Sequence, residues 1–165
     1  MLHWWNLRKQ VREAFFQVPY HLTGKAMTSS YRAIYAISKT TEGLAGNTLN
    51  QVVGYGRSML YTTDKSGRIF WFLFEKMDKK YRDPDLPRFT KDDAENMVRR
   101  HLDIRLNEQM KLADLWENRV QWNIAPLEEA LRKQWTWGRF VCAGDSVHKV
   151  CTPPKGYLLE PLLMV

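Results

Sequence analysis

The residues most able to do chemistry in this chain lie close together in one run, Arg139-Phe140-Val141-Cys142-Ala143-Gly144-Asp145-Ser146-Val147-His148-Lys149. Its apolar first half reads as a strand that stops at a Gly-Asp pair. Gly144 permits a tight turn or the close approach of a ligand to the backbone. Asp145 then falls just past the carboxyl end of the strand, where open α/β sheets place their ligands. A carboxylate only accepts hydrogen bonds, so its natural partners are hydroxyls such as those of a ribose or ribityl chain, and its charge strengthens those bonds. The same pair also suits an Asp that closes its own turn through local backbone hydrogen bonds. Spacing alone does not choose between the two.

Other chemistries find little support. No Ser/His/Asp, Cys/His or paired-carboxylate arrangement stands out, and His148 follows Asp145 too closely to complete a triad. Of the cysteines, Cys142 sits inside the expected core strand and reads as a small buried apolar residue. Cys142 and Cys151 are not at metal-ligand spacing and suggest no disulfide framework, which fits a reducing, intracellular compartment. Gly54-Tyr55-Gly56 begins a Gly-x-Gly-x-x-Gly loop, but position 59 is Met and no strand-loop-helix unit surrounds it. His101 reads as a hydrogen-bonded helix-face residue and not as a catalyst.

At 165 residues the chain suits one domain with a real core. Aromatic residues make up 13% of it, so that core is expected to be aromatic-rich or partly given over to a ligand. The net charge of +7 raises nucleic acid as a partner. Asp92, Asp93 and Glu95 nevertheless precede Arg99 and Arg100, a mixed-charge surface without a reader motif, so no nucleic-acid partner is expected. No apolar run reaches membrane-spanning length, and the start lacks the pattern of a secretory signal.

The elements that must position the Gly-Asp run follow from periodicity. Leu7, Val11, Ala14, Phe15 and Val18 predict an amphipathic helix stopped by Pro19. Residues 31–38 alternate as a strand, 40–47 form a loop, and 51–53 and 57–62 are shorter strands. Asp64-Lys65-Ser66-Gly67 is a turn, closing a hairpin with the strand 68–74. The unbroken apolarity of Ile69 to Phe74 implies that both faces of this strand are covered. Residues 81–88 form an irregular connection. Thr90 caps a helix running to about Leu102, its first turn favoured by Asp92 and Asp93. A second helix is expected over 108–117, a strand over 119–124, and a third helix over 127–134 with Pro126 in its first turn. The fold class is therefore α+β, a mainly antiparallel sheet with flanking helices.

Gly144-Asp145-Ser146-Val147-His148-Lys149 resembles the second FAD motif of the single-component flavin monooxygenases related to p-hydroxybenzoate hydroxylase. Phe70-Trp71-Phe72-Leu73, Lys76-Met77-Asp78-Lys79-Lys80-Tyr81, Pro87-Arg88-Phe89-Thr90 and Asp114-Leu115-Trp116-Glu117 extend that resemblance over roughly residues 26–149. They are most similar to the fungal branch that epoxidises or hydroxylates prenylated, terpenoid-derived metabolites. The resemblance implies FAD as cofactor, with NADPH or NADH as reductant, and a small apolar, terpenoid-like substrate. It implies that Asp145, with Gly144, Ser146 and His148, contacts the ribose and ribityl portion. It also implies that the sheet forms a floor beside the isoalloxazine, with Phe70, Trp71, Phe72 and Tyr61 lining the substrate.

On the same basis the chain divides into a divergent N-terminal helix (1–25), a middle substrate domain (26–138), a remnant of the FAD-domain strand ending in Gly-Asp (139–150) and an atypical tail (151–165). A monomer, cytoplasmic or loosely membrane-associated, is the expectation. Two departures bear on mechanism. The Gly-rich FAD-binding half of the family is not found here. After Lys149 only a displaced Thr-Pro remains of the family's Gly-rich turn, so the tail reads as a retained intron or a shifted frame. One charge-assisted hydrogen bond from Asp145 contributes about 1.5–3 kcal/mol, whereas micromolar affinity needs about 8 kcal/mol. Weak or absent FAD binding and no turnover by this chain alone are expected. The alternative is a non-catalytic fragment or pseudo-enzyme that binds an apolar ligand.

Overall fold

Two turns set the first half of the sheet. Asp64 closes the first: its carboxylate accepts from the Ser66 backbone N–H at 2.8 Å and from that of Arg68 at 3.0 Å, and Gly67 takes φ +81°. The second is the two-residue turn Tyr55-Gly56, where Gly56 lies at φ +68°. A side chain is strained in that conformation, so Gly56 belongs to a hairpin and not to a phosphate loop.

A computed structural model describes residues 27–39, 44, 48–133, 135–137, 139–144 and 147–149, without the side chains of 137 and 140. The helix expected over 7–18, part of the loop 40–47, and Asp145, Ser146 and the tail 151–165 lie outside the described residues. The strands are β1 (Thr28–Ser38), β2 (Leu49–Gly54), β3 (Arg57–Thr63), β4 (Ile69–Arg82), β5 (Arg119–Leu131), β6 (Thr136–Trp137), β7 (Phe140–Val141) and β8 (His148–Lys149). The helices are α1 (Lys91–Arg99) and α2 (Leu112–Glu117). A six-stranded sheet runs in the order β2-β3-β4-β1-β5-β8, with every pairing antiparallel, and β6 and β7 form a separate small hairpin. The mainly antiparallel sheet expected from the sequence is present. Among the described residues, helices are fewer and shorter than expected.

The core lies on one face of this sheet. Ile34 and Ala36 of β1, Met59 and Tyr61 of β3, and Ile69, Trp71 and Leu73 of β4 meet Ala94, Met97 and Val98 of α1 and Leu112 and Leu115 of α2. α1 begins as expected at Thr90, whose hydroxyl accepts from the Asp93 N–H at 3.3 Å while the Thr90 N–H donates to the Asp93 carboxylate at 2.7 Å. Trp71 donates its indole N–H to Ser38 Oγ at 2.9 Å, and Tyr61 donates its hydroxyl to the Leu106 carbonyl at 2.8 Å. Each large polar-tipped ring is therefore buried with its polar atom satisfied.

Four expectations need correction. The helix expected to reach Leu102 ends at Arg99, with turns through 101–103. The helix expected over 108–117 begins only at Leu112, because Met110 serves the loop: Leu106 N–H donates to its carbonyl at 2.9 Å. The helix expected over 127–134 does not form. Leu127 pairs with Tyr31 and Glu129 with Thr28, so β5 continues as one strand through Pro126. β8 meets β5 only at Ala130 and Leu131, and a proline is tolerated where a strand has a neighbour on one side alone. Finally, the strand expected ahead of the Gly-Asp pair is two residues of an exposed hairpin. Val141 is 77% exposed and Cys142 is half-buried and follows the strand, so neither is a core residue.

Candidate functional site

Two features could serve a ligand: the sheet face turned away from the core, and the turn at Gly144. Along β4 burial alternates, with Ile69, Trp71 and Leu73 fully buried and Phe70, Phe72 and Phe74 half-buried. A strand sends successive side chains to opposite faces, so one apolar run makes two different surfaces. Cross-strand register places Phe72 beside Tyr35 of β1 and Leu60 of β3, and Phe70 beside Ile37 and Thr62. The Phe72 ring meets Tyr35 edge-on at 5.5 Å and stacks parallel to Phe74 at 6.1 Å. Arg68 sits over Phe70 at 5.8 Å. The result is an aromatic floor open on its outer side, flanked on β5 by Asn123, which pairs with Tyr35.

Of the four residues expected to line a substrate, only Phe70 and Phe72 reach this floor. Trp71 and Tyr61 face the core, where α2 and the Leu106 loop cover them. Tyr35 and Phe74 take their places. Phe74 had a sequence signal, since it stands two residues from Phe72 on one strand, whereas Tyr35 joins it only through the pairing of β1 with β4.

The Gly144 turn is fixed to the far end of β5. Gly144 has φ +60°, and no heavy atom lies within 4 Å of where a Cβ would stand, so its backbone is open to approach. Its carbonyl accepts from the Val147 N–H at 3.0 Å, and the Val147 carbonyl accepts from the Arg132 N–H at 2.8 Å. Val147 is 1% exposed and anchors the turn. His148 follows in β8, paired with Leu131, and its ring lies 5.3 Å from that of Trp135 at 32°. Lys149 approaches Glu128 at 3.4 Å. Asp145 and Ser146, between Gly144 and Val147, lie outside the described residues.

The two features share one strand but not one place. Asn123, level with Phe72, and Leu131, level with His148, are eight residues apart on β5, a span of roughly 27 Å in extended chain. An elongated molecule could engage both; a small one could not. The Gly144 backbone is open at the turn, while the floor is mainly aromatic.

A different cluster surrounds Glu75 at the α1 end of the core. Its carboxylate accepts from Arg32 Nε at 2.8 Å, from Arg100 Nη2 at 3.0 Å and from His101 Nε2 at 2.8 Å. Burial pushes its pKa up, but the bonds from His101, Arg100 and Arg32 outweigh that and hold it at about 2. His101 is 8% exposed and bonded, as expected of a structural histidine. Among the described residues, no group of three or more His, Cys, Asp or Glu could hold a metal ion. No helix among them is long and apolar enough to cross a membrane.

No protein-family model matches the chain. Curated relatives do. The FAD-dependent monooxygenase verC1 of Penicillium polonicum is 38% identical over 80% of this chain and 16% of its own length. The FAD-dependent monooxygenase subE of Metarhizium robertsii is 35% identical over 82% of this chain and 42% of its own. Among solved structures, the tetracycline destructase Tet(51) superposes at TM-score 0.49 with 12% identity, over 81% of this chain and 35% of that one. The chain thus spans less than half the length of the curated relatives it matches. Over about four fifths of its own length, the chain is similar to a segment of fungal FAD-dependent monooxygenases.

Proposed function

We propose that this chain carries the substrate-domain segment, with the start of the second flavin-contacting segment, of an FAD-dependent monooxygenase. Its substrate is a prenylated or terpenoid secondary metabolite, epoxidised or hydroxylated. The similarity to FAD-dependent monooxygenases over four fifths of the chain carries the reading. FAD, when bound, supplies the oxygen-activating chemistry. The chain's own share is to bind, to orient and to exclude water. Phe70, Phe72, Phe74 and Tyr35 hold an oily substrate by apolar contact on the open floor. The open Gly144 backbone lets a sugar come close, and the Asp145 carboxylate accepts hydrogen bonds from its hydroxyls. Ser146 and His148 flank that contact.

A second reading is a binding segment without turnover. It is favoured by Gly54 and Gly56 serving a hairpin, since no phosphate-cradling loop is then found among the described residues. Both readings share the floor and differ in flavin affinity.

The test titrates farnesol, a plain prenyl alcohol, against tryptophan fluorescence of the wild type and of Phe72→Ala. Saturable binding weakened about tenfold in the variant supports the floor, since losing a well-packed Phe side chain is worth about 1.5–3 kcal/mol. Equal binding by both, or none by the wild type, removes it. FAD titration of the wild type against Asp145→Asn separates the readings: weak binding abolished by the variant supports the flavin contact, and binding that ignores the variant refutes it.

A further inference from the structure

We propose a second ligand site in this chain, for a small organic phosphate, in the cleft where Arg32 and Arg100 converge on Glu75. The cleft, of about 340 Å³, is lined by Arg32, Glu75, Lys76, Tyr81, Phe89 and Arg100, among others. It lies on the α1 side of the fold, where Glu75 follows Leu73 by two residues on β4 and so shares the core face, not the face of Phe70 and Phe72.

The first argument is charge. Glu75 is one carboxylate serving two guanidiniums and an imidazole. The other nitrogen of that imidazole, His101 Nδ1, stands 3.3 Å from Arg57 Nη1. A guanidinium can only donate, so Nδ1 is the acceptor and Nε2 carries the hydrogen given to Glu75. His101 thereby links the Glu75 carboxylate to a third arginine. Two arginines bond that one carboxylate directly, and a third, Arg57, stands behind His101. Counting the ionic groups on the cleft wall alone, Arg32, Lys76 and Arg100 face Glu75 and Asp78, which still leaves one positive charge in excess. Asp93, close by at the start of α1, is tied into the Thr90 cap.

The second argument is unused donors held in place. Arg32 donates Nε and Nη2 to Glu75, and Arg100 does the same with its own Nε and Nη2. Neither Nη1 has a hydrogen-bond partner among the described residues. Because one carboxylate pins both side chains, and Arg32 also lies over the Phe89 ring at 5.4 Å, much of their rotamer entropy is already spent. Two preset N–H groups and the exposed Lys76 ammonium suit a tetrahedral oxyanion, and Phe89 and Tyr81 offer apolar surface to a ring attached to it.

Phenyl phosphate is the probe, with inorganic phosphate and benzoate as comparison arms, each titrated at constant ionic strength. Amide shifts in the nuclear magnetic resonance spectrum report the site. The expected result is saturable shifts at Arg32, Phe89, Arg100 and His101, with phenyl phosphate binding more tightly than inorganic phosphate and both more tightly than benzoate. Arg100→Gln should weaken phenyl phosphate by about tenfold, the loss of one charge-assisted hydrogen bond. Lys76→Gln, at an exposed position outside the Glu75 bonds, should weaken it severalfold without altering the fold, and so serves if Arg100→Gln is misfolded. Arg139→Gln, an exposed arginine elsewhere, should change nothing. Shifts reproduced by sodium chloride, shifts confined to another surface, or affinities that ignore both Arg100→Gln and Lys76→Gln would each overturn the proposal. Tighter binding of inorganic phosphate than of phenyl phosphate would overturn the claim that the ligand is organic.

Discussion

Trp71 donates its indole N–H to Ser38 Oγ at 2.9 Å, and Ser38 passes a hydrogen bond to the Leu115 carbonyl at 2.7 Å. One buried hydroxyl thereby joins β4, β1 and the C-terminal turn of α2. Ser38 is fully buried, as is Trp71, so water cannot replace either bond.

Ser38→Ala should therefore destabilise the fold by about 1–3 kcal/mol, the cost of leaving a buried donor and acceptor unsatisfied. Urea denaturation measures it. Trp71→Phe in the Ser38→Ala background should cost less than in the wild type, because the indole N–H has already lost its partner. Additive losses would mean that the hydroxyl and the indole are not coupled.

Acid should loosen the sheet–helix junction through Glu75. Its folded pKa, about 2, lies below the ordinary value of 4.5. A depressed carboxylate contributes stability that is complete above its unfolded pKa and is lost as pH falls from there through the folded value. Melting temperature should thus drop between about pH 4.5 and 2. Glu75→Gln should cost about 2 kcal/mol at neutral pH, since it strands Arg32 and Arg100 beside a neutral amide. The same variant should show a shallower acid slope, the rest shared by other lowered carboxylates: Asp64, held down by its bonds to Ser66 and Arg68, and Asp93, held down by its bonds to Thr90. An unchanged slope would remove Glu75 from the account.

Gly144→Ala should cost roughly 1–2 kcal/mol, wholly conformational, because φ +60° disfavours a Cβ while the space around it is empty. Gly144→Asn should cost less, as Asn tolerates the left-handed region. A thermal melt with hydrogen exchange at Val147, whose N–H bonds the Gly144 carbonyl at 3.0 Å, distinguishes loss of the turn from a general loss of stability. Equal melting of the Ala and Asn variants would show that backbone handedness does not matter there.

The sequence by itself determined what neighbours along the chain can enforce. Asp64 and Gly67 dictate their turn, Thr90 with Asp93 dictates the start of α1, and the apolar run Ile69 to Phe74 already reads as a strand. Such features need only local hydrogen bonds and the pleat of a strand. Tertiary structure decided the rest. Residues 127–131, Leu-Glu-Glu-Ala-Leu, prefer a helix when judged alone, yet pairing of Leu127 with Tyr31 and Glu129 with Thr28 draws them into β5. A weak intrinsic preference yields to a ladder of bonds and to the burial of Leu127 and Ala130. Only that fold fixes which aromatic face is shut beneath the helices and which stays open. It also gathers Arg32 and Arg100, far apart in the chain, around the Glu75 carboxylate.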